Sequence, residues 1–158
     1  MSDLTYVGRQ PIYAADDTVF AYELLYRNSK ENWADIDDDN HATAELLSNV
    51  FTSIGLDTLV GDRRAFINMP REFLLGEYPL PEIKQQVVIE DLEHVKPDAD
   101  VLDALRSLKQ QGYTLALDDY VFEEHLEPFL ELADIIKIDI MASGVDQLAD
   151  RVSKLAQY

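Results

Sequence analysis

The chain has 158 residues, 47% of them hydrophobic and 28% charged, the composition of a folded globular protein rather than of a disordered, collagen-like or coiled-coil chain. With 31 acidic residues against 13 basic ones the formal net charge is −18, which repels nucleic-acid phosphates and anionic lipid, so general binding to either is not expected. Cysteine is absent, which removes disulfides, thiolate zinc sites and thiol nucleophiles and suits a reducing cytoplasm, and no apolar run reaches the ~20 residues that span a bilayer.

The first residues, Met1-Ser2-Asp3-Leu4-Thr5, lack the basic and apolar regions of a secretory signal. An extended stretch is expected from Thr5 to Tyr13, a turn at Ala15-Asp16-Asp17-Thr18, and a second strand from Val19 to Arg27; so short a turn makes the pair antiparallel. Asn28 to Asn40 reads as an acidic loop. Its Asp35–Asn40 stretch fails as a calcium loop, because Asn40 stands where glycine is needed and Leu46 where the closing glutamate belongs.

A helix follows with Leu46, Leu47, Val50, Phe51 and Ile54 on one face and Gly55 as its stop. Ala65 to Met69 reads as a strand stopped by Pro70, and Gln86 to Asp91 as another. After Pro97 a helix carries Val101, Leu102, Leu105 and Leu108 and ends at Gly112. Thr114 to Asp119 is expected as a strand, and Glu123 to Leu132 as a short helix broken or bent at Pro128. Ala133 to Met141 is expected as a strand, and Val145 to Tyr158 as the last helix. No linker or internal repeat divides the chain, which predicts a single domain over residues 1–158. Alternating helices and nearly continuous apolar strands predict a parallel sheet covered by helices, either doubly wound or a (β/α) barrel. All six glycines are isolated, so the glycine-rich turn of a dinucleotide fold is missing.

Strand after strand ends in a carboxylate or amide: Asn68 after Phe66-Ile67, Glu90 after Val87-Val88-Ile89, and Asp118-Asp119 after Leu115-Ala116-Leu117. Glu23 and Lys137 interrupt otherwise apolar strands. In a barrel, the C-terminal strand ends gather at one rim, which would bring Glu23, Asn68, Glu90 and Asp118 together. Three acids in one place repel one another, and a hard divalent cation such as Mg²⁺ or Mn²⁺ relieves that repulsion. Each residue also has a plainer reading: Asp119 as a helix cap, Asn68 as turn chemistry, Glu90 as a solvated strand exit, Lys137 as half of a structural ion pair. His41, His94 and His125 have no ligand spacing and read as surface residues.

Arg9-Gln10-Pro11-Ile12 with Tyr22-Glu23-Leu24-Leu25-Tyr26-Arg27 resembles the opening of EAL domains, the bacterial cyclic di-GMP phosphodiesterase family, with Glu-Leu-Leu in place of Glu-Ala-Leu. Phe66-Ile67-Asn68 resembles the family's asparagine strand, and Glu90-Asp91-Leu92-Glu93 its E-x-x-E element. Asp118-Asp119-Tyr120 is similar to DDF, and Lys137-Ile138-Asp139 to KID. The wording around Gly8–Tyr13 and Ala133–Lys137 is most like EAL domains that precede an HDOD domain.

The resemblance implies a barrel with an antiparallel first strand and a two-metal site for phosphodiester chemistry. By the same resemblance Glu23, Asn68, Glu90 and Asp118 are metal ligands and Asp119 reaches a second metal. Lys137 orients or deprotonates the attacking water, Arg27 and Gln10 contact the ligand, and Glu93 supports the loop after the DDF strand.

Two departures shape the functional expectation. Val121-Phe122-Glu123-Glu124-His125 has neither the glycine nor the serine of the loop that active members place after DDF. A full barrel also takes roughly 250 residues, so an incomplete one is expected, without the C-terminal strands and with edges and apolar faces open to a partner or a second copy. The leading expectation is a degenerate EAL module that works by binding ligand or protein. The alternative is an active metal-dependent phosphodiesterase yielding linear pGpG.

Overall fold

A computed structural model describes residues 6–14, 16–27, 39–90, 95–118, 126–138 and 145–156. Strands β1 (Tyr6–Tyr13) and β2 (Val19–Arg27) form the expected antiparallel hairpin. Its turn is tied by Asp16, whose Oδ1 accepts from the Thr18 N–H at 3.1 Å and from the Thr18 hydroxyl at 2.6 Å, and Asp17 takes the left-handed backbone at φ 61°. From there β3 (Arg64–Asn68), β4 (Val87–Glu90), β5 (Thr114–Leu117) and β6 (Ile135–Ile136) add in parallel, and the spatial order β1-β2-β3-β4-β5-β6 is the chain order.

Helical segments fill each crossover: α1 (Asp39–Ser48), a π-helical turn (Asn49–Ile54) and α2 (Leu56–Val60), then α3 (Arg71–Leu74), α4 (Ala99–Gln110) and α5 (Glu127–Leu130). Helix α6 (Val145–Leu155) follows β6. The architecture is the incomplete (β/α) barrel with an antiparallel first strand. Among the described residues no strand pair closes it. No helix of the described residues is long and apolar enough to cross a membrane.

Three elements differ from their sequence reading. The first helix does not run uniformly to Gly55. It widens after Ser48, and the Gly55 N–H donates to Val50 O, five residues back, at 3.0 Å. The helix expected over Glu123–Leu132 is described only as α5, with Pro128 in its first turn where the missing N–H has no partner to lose, and Glu123–His125 lie outside the described residues. The last strand is confined to Ile135–Ile136, with residues 139–144 outside the described set.

Both faces of the sheet are packed. Leu24, Ile67, Ile89, Leu115 and Leu117 face the helices and meet Leu46, Val101, Leu105 and Phe129. The opposite face carries Ala21, Phe66, Val88 and Ala116, all fully buried, with Ile12 and Ile135 packed on them. Ile12 and Ile135 belong to the two edge strands and pack beside their ladder partners Ala21 and Ala116, so the apolar layer runs from one edge of the curled sheet to the other. A bulge assists: Ile12 pairs with Ala21 and Tyr13 with Val19, leaving Phe20 unpaired. The Phe20 ring then meets Phe66 edge-on, 6.4 Å between centroids at 67°. The bare inner face expected of an unclosed barrel is therefore absent at these positions.

Asp134 clasps β5 to β6. Its Oδ2 accepts from the Leu115 N–H at 3.0 Å, and its Oδ1 takes the Lys109 ammonium at 2.8 Å, while Lys109 also donates to Leu132 O at 2.7 Å. With both side chains about a third exposed, the ion pair itself contributes little and the backbone bond more. Asp134→Ala should cost about 1 kcal/mol, read in a melting curve as a Tm lower by roughly 2–4 °C. An unchanged Tm would show the clasp to be passive.

Candidate metal centre

One strand step beyond the inner apolar layer stands a polar one. Ala21, Phe66, Val88, Ala116 and Ile135 are each followed two residues later by Glu23, Asn68, Glu90, Asp118 and Lys137. Because strand side chains alternate with period two, the second set lies on the same face at the C-terminal rim. The pairing keeps it level: Asn68 lies opposite Glu90, and Ala116 opposite Ile135 just below Asp118 and Lys137. Glu23 pairs with Phe66, one step lower than Asn68, which is the stagger of a curling sheet.

The side chains meet at Lys137. Its Nζ donates to Glu90 Oε1 and Glu23 Oε2, the latter at 3.2 Å, and lies 3.0 Å from Asp118 Oδ2. One carboxylate oxygen from each of Glu23, Glu90 and Asp118 falls within 4.8 Å of the others. On a flat sheet β2 and β6 would lie four strand spacings apart, about 19 Å. The Lys137–Glu23 contact thus exists only because the sheet curls.

Electrostatics follow from burial. Glu90 is fully buried, and desolvation pushes its carboxyl up from 4.5 to about 8, against the pull of Lys137 and with the push of Asp118 and Glu23. Burial draws the Lys137 ammonium down, but Glu90 first, with Glu23 and Asp118, outweighs it and holds the amine above its ordinary value. Even with Glu90 holding its proton, the other two carboxylates outnumber the one ammonium, and release of that proton leaves the rim shorter still of positive charge. Two buried oxygens, Asn68 Oδ1 and Glu90 Oε2, accept no hydrogen bond. Carboxylate and amide oxygens converging on one place, two of them orphaned, fit a hard divalent cation.

Other expected residues fall at varying distances from this cluster. Gln10 lies opposite Glu23 in the β1–β2 ladder and is exposed. Arg27 ends β2 beyond Glu23, with its side chain outside the described residues, as are Glu93 and Asp119. His41 is exposed, its Nε2 3.6 Å from Glu45, while His94 and His125 are outside the described residues. Sequence reasoning missed Thr43, buried on α1, whose hydroxyl donates to Asn68 O at 3.3 Å and ties that strand end to the helix. It also missed the Tyr26 hydroxyl donating to Glu45 at 2.7 Å. A threonine on the apolar face of a helix is the one available signal for Thr43.

The backbone superposes on solved structures. The Bacillus subtilis YkuI protein, with an EAL domain and in complex with substrate c-di-GMP and calcium, superposes with a TM-score of 0.63 over 94% of this chain and 45% of its own, at 20% identity. An EAL domain protein from Listeria monocytogenes gives 0.59 over 90% of this chain and 66% of its own, also at 20% identity. The chain has the EAL-domain fold. No protein-family model matches it. In sequence, this EAL-fold chain is 41% identical over 155 residues to the cyclic di-GMP phosphodiesterase CdgJ of Vibrio cholerae, covering 97% of the chain and 36% of CdgJ. It spans only 36% and 34% of the length of the two curated relatives it matches.

Proposed function

We propose that residues 1–158 form one EAL-type module of a cytoplasmic cyclic di-GMP signalling protein, in which a divalent cation at the Glu23–Glu90–Asp118 cluster anchors the dinucleotide. The observation that carries this reading is the convergence of those carboxylates beside the orphaned oxygens of Asn68 and Glu90. YkuI's complex with c-di-GMP and calcium, and the name of CdgJ, support the choice of ligand.

Glu23, Asn68, Glu90 and Asp118 would hold Mg²⁺ or Mn²⁺, with Asp119 toward a second ion. Such ions, when bound, neutralise phosphate charge, polarise the phosphoryl oxygen and lower the pKa of bound water. Gln10, opposite Glu23 in the ladder, and Arg27, at the end of β2, would contact the dinucleotide. This is how a chain of net charge −18 would accept an anion.

Binding without turnover is the first reading, since the stretch Val121–His125 lacks glycine and serine. Hydrolysis to linear pGpG is the second, favoured by the name of CdgJ and by the position of Lys137 among the rim carboxylates, where, once released from them, it would orient an attacking water. Protein contact is a further part of the proposal, with a homodimer or an HDOD-type domain as partner. The β1 edge has no strand beyond it among the described residues, and Tyr13 there is 61% exposed.

Calorimetry with cyclic di-GMP should show binding in Mg²⁺ that is lost in EDTA and in Glu23→Ala. Silence in all conditions would refute the ligand assignment. Linear product formed in Mn²⁺ well above the rate of Lys137→Ala would establish the second reading over the first.

A further inference from the structure

We infer that Lys137 is a built-in counter-ion which a divalent cation must displace from Glu23, Glu90 and Asp118, so that this lysine sets the cation affinity of the rim. The inference rests on the cation reading above but concerns a different property. An ammonium has three protons to donate and no acceptor. Here Nζ meets three carboxylates, 3.2 Å from Glu23, 3.0 Å from Asp118 and hydrogen-bonded to Glu90. Its whole bonding capacity is spent on the group of acids whose oxygens lie close enough to share an ion.

The substitution is incomplete in a telling way. One ammonium reaches one oxygen of Glu90 and leaves Oε2 orphaned, together with Asn68 Oδ1. Those oxygens remain for a larger coordination sphere, while the three in use are surrendered only when the amine withdraws. Lys137 lies just past the end of β6 and is 19% exposed, so its stem has an outlet toward solvent. A bound dication would then stand beside an ammonium in a partly desolvated place, where like charges oppose each other more strongly than in water. Both the lost bonds and the repulsion weaken cation binding, and both vanish when the charge is removed.

Mg²⁺ titrated calorimetrically into the full chain, Lys137→Met and Lys137→Arg should separate these effects. Lys137→Met should bind Mg²⁺ at least about tenfold tighter than the wild type, or about 1.4 kcal/mol, and Lys137→Arg no tighter. Affinity unchanged or weakened in Lys137→Met overturns the inference while leaving the cation reading intact. Absence of Mg²⁺ binding by both the wild type and the variant overturns the two together. If Lys137→Met does not fold, ¹⁵N-lysine NMR on the wild type decides. A Lys137 Nζ signal that moves as Mg²⁺ saturates supports displacement, and one that stays unmoved refutes it.

Discussion

Between about pH 5 and pH 9, in the absence of divalent cations, the chain should lose stability as pH rises, and Glu90→Gln should remove most of that slope. Burial holds the Glu90 carboxyl at about 8 in the folded chain against 4.5 when exposed. Across that interval the folded state keeps a proton that the unfolded state releases, so stability falls with rising pH and levels off above the folded value. The shift from 4.5 to about 8 sets a ceiling near 5 kcal/mol, at about 1.36 kcal/mol per unit. Lys137, held above its ordinary value, contributes a constant amount here, because its stabilisation is lost only as pH climbs from the ordinary value of 10.5 through the raised one, both above this interval. Urea midpoints at a series of pH values in EDTA give the slope. Mg²⁺ should restore more stability at pH 9 than at pH 5, since it replaces the proton. Equal slopes for the wild type and Glu90→Gln would remove Glu90 as the origin.

Phe66→Ala should be the most damaging single truncation of the inner layer, costing about 3–5 kcal/mol and lowering Tm by roughly 10 °C. Phe66 is fully buried between Ala21, Val88 and Ala116, with Phe20 against its edge. Two of those neighbours are alanines, too small to close the hole. The same cavity would lie directly beneath Asn68 and beside Glu23, whose backbone pairs with Phe66. Cation binding should therefore weaken along with stability. Phe20→Ala, at a residue 42% exposed, should cost far less. A denaturant titration showing the two variants equally destabilised would contradict the packing described for the curled inner face.

The polar rim was readable because Asn68, Glu90 and Asp118 end apolar strands and Glu23 and Lys137 interrupt them, a pattern that water exposure alone does not explain. Strand existence was legible for the same reason: runs such as Val87-Val88-Ile89 have no polar face to offer. What stayed hidden depends on distance in space. The sequence reading treated the lysine–carboxylate pair and the cation cluster as alternatives, whereas Lys137 contacts all three acids of the cluster. Nothing local announces the π-helical turn at Asn49–Ile54, since its apolar residues satisfy the ordinary helical period equally well. Helices α2 and α3 are each a turn or so long and leave too few residues for any period to show. Pro128 carries no fixed signal, because its effect reverses between the first turn of a helix, where it stands in α5, and a helix interior.

The contact between Lys137 and Glu23 joins residues 114 positions apart. Loop closure over that span is entropically costly, so the contact is expected to follow the neighbouring strand pairings in time rather than to guide them. Stabilisation added there slows escape from the native state more than it speeds its formation. An ion held at the rim would thus lengthen the lifetime of a chain already folded, and would leave the pace at which newly made chains fold nearly unchanged.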